Sequence, residues 1–355
     1  MPAAERIRRW FCLSPDRFVI GLLLAVCVLW LSERLQWFGF NHHRRWTVLI
    51  AVAAVGAAAL VMLLWWAVSL IFRRRFQFGI RSVLAFCLAA SIAAGWFATA
   101  RGRARRQAEV VGWITSAGGS AVYNWTVDIY YGWPKGGGIP SGPDWLRGLF
   151  GDDFLSPILF VDLGDRDLTD ADLDRLGGLS AIQCLNLDRT TVTDAGLERL
   201  TCLTQLQVLR LSGDAITDVG LRHVAGLTEL AALDLANTAV TDAGLGHLRS
   251  LTRLAQLDVG GTHITDAGLK CVGEMAQVSY LYLADDTITD IGLARVIELT
   301  RLEMLDLHGT QVTEAGLENL AALGKLWYLD VRSTQVTETG ANKLQLALPN
   351  CTIYH

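Results

Sequence analysis

Three arrangements of side chains along this 355-residue chain have types and spacing that could do chemistry. His223 and His247 stand one 24-residue step apart, which is half of a zinc site. No third ligand shares their register, and a metal needs three or four. An outward-facing series runs Asp162, Asn186, Arg210, Asp234, Asp258, Tyr282, Asp306, Asp330, again at steps of 24. Stacked at strand spacing of about 4.8 Å, its aspartates would be like-charge neighbours. That suits a basic partner or a cation, and it equally suits the ordinary solvated surface of a duplicated unit. The third arrangement is irregular: Tyr280, Tyr282, Met304, His308, Tyr328 and Arg332, with Asp306 and Asp330 between them. Tyr, Met and Arg are enriched at interface hot spots. The expectation is a contact surface there, with drift in the last units as the alternative. No HExxH, GxSxG, paired catalytic carboxylate or Cys–His arrangement occurs, so the pattern predicts binding rather than catalysis, with no cofactor and no metal.

The elements that must position these residues follow from one period. Val161, Leu185, Leu209, Leu233, Leu257, Leu281, Leu305 and Leu329 recur every 24 residues, each followed two residues on by another aliphatic. Such alternation is a strand with one buried face. A third aliphatic (Val192, Ile216 and equivalents) precedes a threonine in all eight units, Thr169 to Thr337, and an acid follows that threonine. Thr suits a helix N-cap and the acid suits the helix dipole. With Thr193 as cap, Val192 and Leu197 form a hydrophobic staple. Glycine recurs inside the first turn from Gly196 to Gly340; since it costs about 1 kcal/mol in a helix, its recurrence implies close approach of neighbouring units.

The segment Leu206-Gln207-Val208-Leu209-Arg210-Leu211-Ser212-Gly213-Asp214-Ala215-Ile216 resembles the leucine-rich repeat, L-x-x-L-x-L-x-x-(N/C/T)-x-L. Its usual Asn/Cys position holds Thr190, Thr238, Thr262, Thr310 and Thr334, with Asp214 and Asp286, and a hydroxyl makes the same backbone bonds. Arg166 there marks the first unit as a capping variant. The resemblance covers 158–355 and implies an α/β solenoid of eight repeats, a horseshoe with a parallel sheet on its concave face and helices outside. The Thr-Asp-x-Gly-Leu variant, behind an Arg-rich helix and a Trp-rich spacer, also resembles membrane-anchored repeat proteins of planctomycete bacteria.

The first 106 residues are of another kind. Up to Arg106 there are 15 basic and 3 acidic residues, a net of +12, and beyond it 16 basic and 32 acidic, a net of −16. Eleven of 12 tryptophans precede Ile158, as expected where apolar chain meets headgroups. Uncharged stretches at 46–72 and 82–100 predict membrane-spanning helices, with a weaker third at 18–38. The expected order is a membrane region at 1–106, a juxtamembrane helix with short strands and an N-terminal cap at 107–157, then the repeats. Gly118–Gly119 should stop the juxtamembrane helix, Ser120 to Tyr131 reads as strand, and the helix opening at Pro143-Asp144-Trp145-Leu146 is expected to cover the open end of the solenoid. Pro134-Lys135-Gly136-Gly137-Gly138 lacks the GK[ST] ending of a phosphate loop and reads as a turn. Cys184, Cys202, Cys271 and Cys351 have no paired spacing and read as structural thiols.

A repeat half at −16 is repelled by phosphate backbones, which argues against nucleic acid. The expected partners are a protein or peptide ligand, basic in character, and the lipid bilayer. This predicts an integral protein of a bacterial inner membrane. With three spans the basic flanks are nearly balanced, and with two they favour cytoplasmic termini, so the side of the repeats stays open. A structural or adhesion role in the envelope remains as an alternative. So does substrate recognition for a partner enzyme, as in F-box repeats, although no F-box-like segment is present.

Overall fold

The computed structural model describes residues 80–123 and 144–355, with isolated helical positions at 53 and 56. The chain forms two compact units, Met1–Arg106 with Gly142–Ser156, and Gln107–Ser141 with Pro157–His355. The expected spans at 18–38 and 46–72 lie outside the described residues. The expected span at 82–100 falls on α1 (Ile80–Ser116), and among the described residues no helix is long and apolar enough to cross a membrane. This helix continues through Arg101, Arg103, Arg105 and Arg106. In the first unit Trp96, Phe97, Ala100 and Ala104 are taken up by Phe154 and Leu155 of α3 (Asp152–Leu155), with Phe97 and Phe154 ring centroids 5.5 Å apart. The helix α2 (Asp144–Phe150) belongs to this unit too.

In the second unit ten strands among the described residues lie in chain order. The first, β1 (Ser120–Tyr123), pairs antiparallel with β2 (Ile158–Asp162). Every later pairing is parallel, through β3 (Cys184–Asn186), β4 (Val208–Arg210), β5 (Ala232–Asp234), β6 (Gln256–Asp258), β7 (Tyr280–Tyr282), β8 (Met304–Asp306), β9 (Tyr328–Asp330) and β10 (Thr352–Tyr354). The register is the 24-residue period itself: Leu185 pairs with Leu209, Leu209 with Leu233, and so on. Short helices return each unit to the next strand: α4 (Asp194–Arg199), α5 (Asp218–Val224), α6 (Asp242–Leu245), α7 (Asp266–Gly273), α8 (Asp290–Val296), α9 (Glu314–Leu320) and α10 (Glu338–Ala347). Leu185, Leu187, Val192, Leu197, Leu200 and Leu203 and their equivalents meet in one continuous core.

Within the second unit the last turns of α1 pack on the first repeat. Ile114 is fully buried at the first repeat, with Val110, Val111, Trp113 and Ala117 packed beside it, and the Arg175 guanidinium stands 5.3 Å over the Trp113 ring. The chain turns at Gly118 (φ 79°) and Gly119 into β1. A Cβ at Gly119 would sit 2.6 Å from the Asp162 carbonyl, so only glycine lets the strand approach this closely.

The Thr-Asp-x-Gly motif proves to be one device. Each threonine caps its own helix: the Thr241 hydroxyl accepts from the Ala243 N–H at 3.3 Å. The following acid does more than meet the dipole, because it reaches into the next unit. Asp218 accepts the Thr241 N–H at 2.8 Å through Oδ1 and the Thr241 hydroxyl at 2.7 Å through Oδ2. The same pair of bonds joins Asp170 to Thr193, Asp194 to Thr217, Asp242 to Thr265, Asp266 to Thr289 and Asp290 to Thr313. The glycine makes room for that carboxylate. A Cβ at Gly196 would lie 2.5 Å from Asp170 Oδ1, and the clash is closer still at Gly220, Gly244, Gly268, Gly292 and Gly316.

The first unit has no predecessor to clear, and there Asp172 replaces the glycine. Its carboxylate takes the Thr169 N–H at 3.1 Å and hydroxyl at 2.8 Å from within the unit.

A second backbone feature is equally regular. Asp165, Arg189, Gly213, Asn237, Gly261, Asp285, Gly309 and Ser333, one per unit, all take positive φ between 54° and 76°. This left-handed turn lifts the chain off the strand.

Because the glycine and the carboxylate occupy the same space, their substitutions are coupled. Gly244→Ala alone should cost about 2 kcal/mol in urea unfolding, the Cβ displacing Asp218 from its two bonds. In an Asp218→Ala background the same change should cost at least about 1 kcal/mol less. Additive costs would show that the carboxylate does not set the requirement for glycine.

Candidate binding surface

The sheet presents outward the first and third residues of strands β3 to β9, in register with Phe160 and Asp162 of β2. Over the first four strands of the parallel ladder the first position is apolar: Phe160, Cys184, Val208 and Ala232 are buried in one cluster with Val122 and Leu159. Cys184 is thus the buried thiol expected, its pKa pushed up to about 12 by burial. From β6 onward the same row reads Gln256, Tyr280, Met304, Tyr328, and the face becomes polar and aromatic.

The third-position row has a structural task in most units. One carboxylate oxygen of Asp162, Asp234, Asp258, Asp306 and Asp330 accepts the backbone N–H two residues on, at 2.9–3.1 Å. Asn186 does likewise for Asp188. These bonds close the turn after each strand, which explains the recurrence of acids without invoking a ligand. Arg210 interrupts the row, bonding Asp188 at 2.8 Å and standing 3.4 Å from Asp234. Arg332 is bidentate on Asp330, Nε to Oδ1 at 3.0 Å and Nη2 to Oδ2 at 2.5 Å. Between those two arginines lie Asp258, Tyr282 and Asp306.

The charge there is costly to hold. Burial, then Asp234 and Asp306, push the Asp258 carboxyl up to about 7. Burial followed by Asp258 and Asp306 pushes the Tyr282 phenol up to about 12. Asp306 is raised by burial and by Asp330. Asp330 is opposite in sign: burial acts to raise it, but the hydrogen bonds and charge of Arg332 outweigh that and hold it low. The Gln256 Oε1 and His308 Nδ1 atoms on this face are buried and have no hydrogen-bond partner among the described residues.

All eight residues expected to form the contact surface lie on or beside β7 to β9 and share the sheet face, but not in equal roles. Tyr280 is only 5% exposed, and its hydroxyl donates to Glu303 at 2.9 Å, so it is packing. Tyr282, Met304, Asp306, His308 and Tyr328 are half-buried, Asp330 is buried, and Arg332 is exposed. Two residues missed in the sequence complete the patch. Trp327 and Tyr354, 43% and 44% exposed, flank Tyr328 with ring centroids 5.9 and 5.2 Å from it. The Arg332 guanidinium stands 5.6 Å over the Tyr354 ring. The last strand lies outside the Leu-x-Leu period, so nothing in the spacing announced Tyr354; Trp327 could have been found as the one tryptophan of the repeats. His223 and His247 remain on the helix side, and no group of three or more metal-capable side chains occurs among the described residues.

With this geometry in view, 158–355 is a leucine-rich-repeat solenoid. Residues 247–273 match the family model described as Leucine Rich repeat. Two solved structures from Listeria monocytogenes are similar in fold. One is an internalin, 24% identical over 51% of this chain and 49% of its own, with a TM-score of 0.44. The other, internalin C2, is 24% identical over 54% of this chain and 86% of its own, with a TM-score of 0.41. The match thus spans about half the length of the first of them. No curated protein is detectably similar to the chain. Such a fold presents an extended surface along the repeats.

Arg332→Ala should lower the urea midpoint at pH 7 by leaving Asp330 buried and unpaired. Because Arg332 depresses the Asp330 pKa, its contribution is present above the unfolded carboxylate range and is lost as pH falls through the folded value. The deficit should therefore shrink below about pH 4. A deficit unchanged by pH would mean that the pair carries no such linkage.

Proposed function

We propose that this protein is a membrane-tethered recognition module, without catalytic activity of its own, that takes a cationic segment of a protein partner on the C-terminal half of its sheet face. One observation carries the reading. From β6 to β10 the face changes from buried aliphatic to aromatic and acidic, with Trp327 and Tyr354 exposed beside Tyr328. Rigid aromatic rings contribute large contact area at low entropic cost, and they flank cations favourably. Asp258 and Asp306 lie between the two arginines of the face, each with one carboxylate oxygen committed to a backbone N–H. A lysine or arginine side chain of a partner would offset the burial and the repulsion that raise both carboxyl groups. The net −16 of the chain beyond Arg106 steers the same class of partner.

The tether reading rests on the uncharged 46–72 segment with Trp46 at one end and Trp65–Trp66 toward the other. It is supported by the collar of exposed Arg101, Arg103, Arg105 and Arg106, suited to anionic headgroups. The expected place is a bacterial inner membrane, and protease accessibility of the repeats in intact cells assigns the side.

Panning a random twelve-residue peptide library against the purified full chain should recover sequences enriched in Lys and Arg beside aromatic residues. The substitutions Tyr282→Ser, Trp327→Ser and Tyr354→Ser together should weaken the selected peptides by more than about tenfold with unchanged circular dichroism. Binding should also weaken steeply between low and physiological salt. Peptides without cationic bias, or affinity indifferent to the triple substitution, would overturn the assignment of the face.

A further inference from the structure

From the second unit on, the turn after the strand carries one small polar side chain: Thr190, Asp214, Thr238, Thr262, Asp286, Thr310 and Thr334. Four of the threonines donate their hydroxyl to a carbonyl of their own unit, Thr238 to Leu235, Thr262 to Val259, Thr310 to Leu307 and Thr334 to Val331, at 2.6–2.7 Å. The two aspartates reach back across the seam instead. Asp286 Oδ1 lies 3.0 Å from the Thr262 N and 3.2 Å from its hydroxyl; Asp214 Oδ1 lies 2.6 and 3.0 Å from the same atoms of Thr190. Both residues are almost fully enclosed, 3% and 4% exposed, and Oδ2 of each has no partner among the described residues.

At Asp214 the Thr190 hydroxyl donates to Oδ1, so the case there rests on enclosure and on the Oδ2 without a partner among the described residues. At Asp286 proton accounting adds to it, against the backbone N–H bonds that favour the anion. A hydroxyl has one proton to give, and Thr262 gives its own to the Val259 carbonyl at 2.6 Å. The Thr262 hydroxyl oxygen facing Asp286 is then an acceptor, and an ionised carboxylate opposite it would bring two lone pairs together. A protonated Asp286 would donate there. The charges bearing on these groups are of the wrong sign to hold an anion: Asp188 on Asp214, and Asp285 on Asp286. Near Asp214 the basic side chains Arg189 and Arg210 are engaged, Arg189 with Asp165 and Arg210 with Asp188 and Asp234.

We propose that Asp214 and Asp286 are proton-binding sites built into two seams of the solenoid, so that acidification tightens the contact between the units they join and alkaline pH loosens it. Desolvation by burial is the first cause in each, and it carries both carboxyl groups up to about 7. The sign follows from linkage. The folded value is above the unfolded one, so stability is full below the unfolded carboxylate range and is lost as pH rises through neutrality. The units so hinged lie on either side of Thr190–Asp214 and Thr262–Asp286, the second adjoining β7.

Amide hydrogen exchange on the full chain tests this at the seams, through the N–H groups of Thr190 and Thr262 that face the two carboxyls. After correction for intrinsic exchange, protection of peptides holding these amides should fall on the order of tenfold from pH 5.5 to pH 8.5. The Thr310 seam, which carries no acid, should not change. Asp214→Asn with Asp286→Asn should abolish the dependence. Asp214→Thr with Asp286→Thr, installing the residue other units use, should do the same and covers the case in which the Asn pair fails to fold. Protection indifferent to pH in the parent chain overturns the proposal, as does a fall that survives in the folded variants. Neither result bears on the peptide-binding face, which the panning experiment reads separately.

Discussion

A carboxylate that crosses from one unit to the next is the interaction on which the rest of this solenoid depends. At a helix N-terminus the backbone N–H groups have no intrahelical partner and must be met by something. The threonine hydroxyl meets one of them locally. The preceding unit's aspartate meets the N–H of the capping threonine and fixes its hydroxyl, so each helix start is completed by its neighbour. That single arrangement sets the repeat length, because a unit longer or shorter by one residue would present the wrong group to the seam. It also accounts for a glycine in the first helical turn, where glycine would otherwise only weaken the helix.

The ends show the same constraint from the other side. With no unit before it, the first repeat supplies its own carboxylate from the position that glycine holds elsewhere. At the far end, glutamate replaces aspartate at the last seam. Glu314 still reaches the Thr337 hydroxyl, while that hydroxyl caps Gly340 instead of the residue two positions on. The longer side chain thus preserves the contact with a shifted cap. Beyond it α10 and β10 close the sheet.

Once the regular positions are assigned to architecture, the sheet face divides naturally. Aspartates in the third-position row serve their own turns, and Arg210 and Arg332 stand against Asp234 and Asp330. The region between keeps unsatisfied acceptors and partly buried acids, and it abuts the aromatic cluster at the end of the sheet. Burial and like-charge repulsion make the charge of this region costly, and the proposed cationic segment would offset both.

The repeat period, the strand and helix boundaries, the staple and the threonine cap were all legible in the sequence, because each depends on neighbours within one unit. The residues of the proposed surface were singled out there too, since Tyr282, Met304, His308 and Tyr328 break a pattern that is otherwise uniform. Other assignments required the fold. Tyr280 read as exposed, yet its ring is enclosed and its hydroxyl is held by Glu303 of the next unit. The packing of the last turns of α1 and the antiparallel β1 against the first repeat had no signal in the spacing. The acid after each threonine read as a dipole partner, and its real contacts lie 23 residues away. Sequence periodicity reports which side chains share a face within a unit. It does not report which atom of the following unit fills the space a glycine leaves, because that is set by the rise and rotation between stacked units, which only the tertiary structure decides.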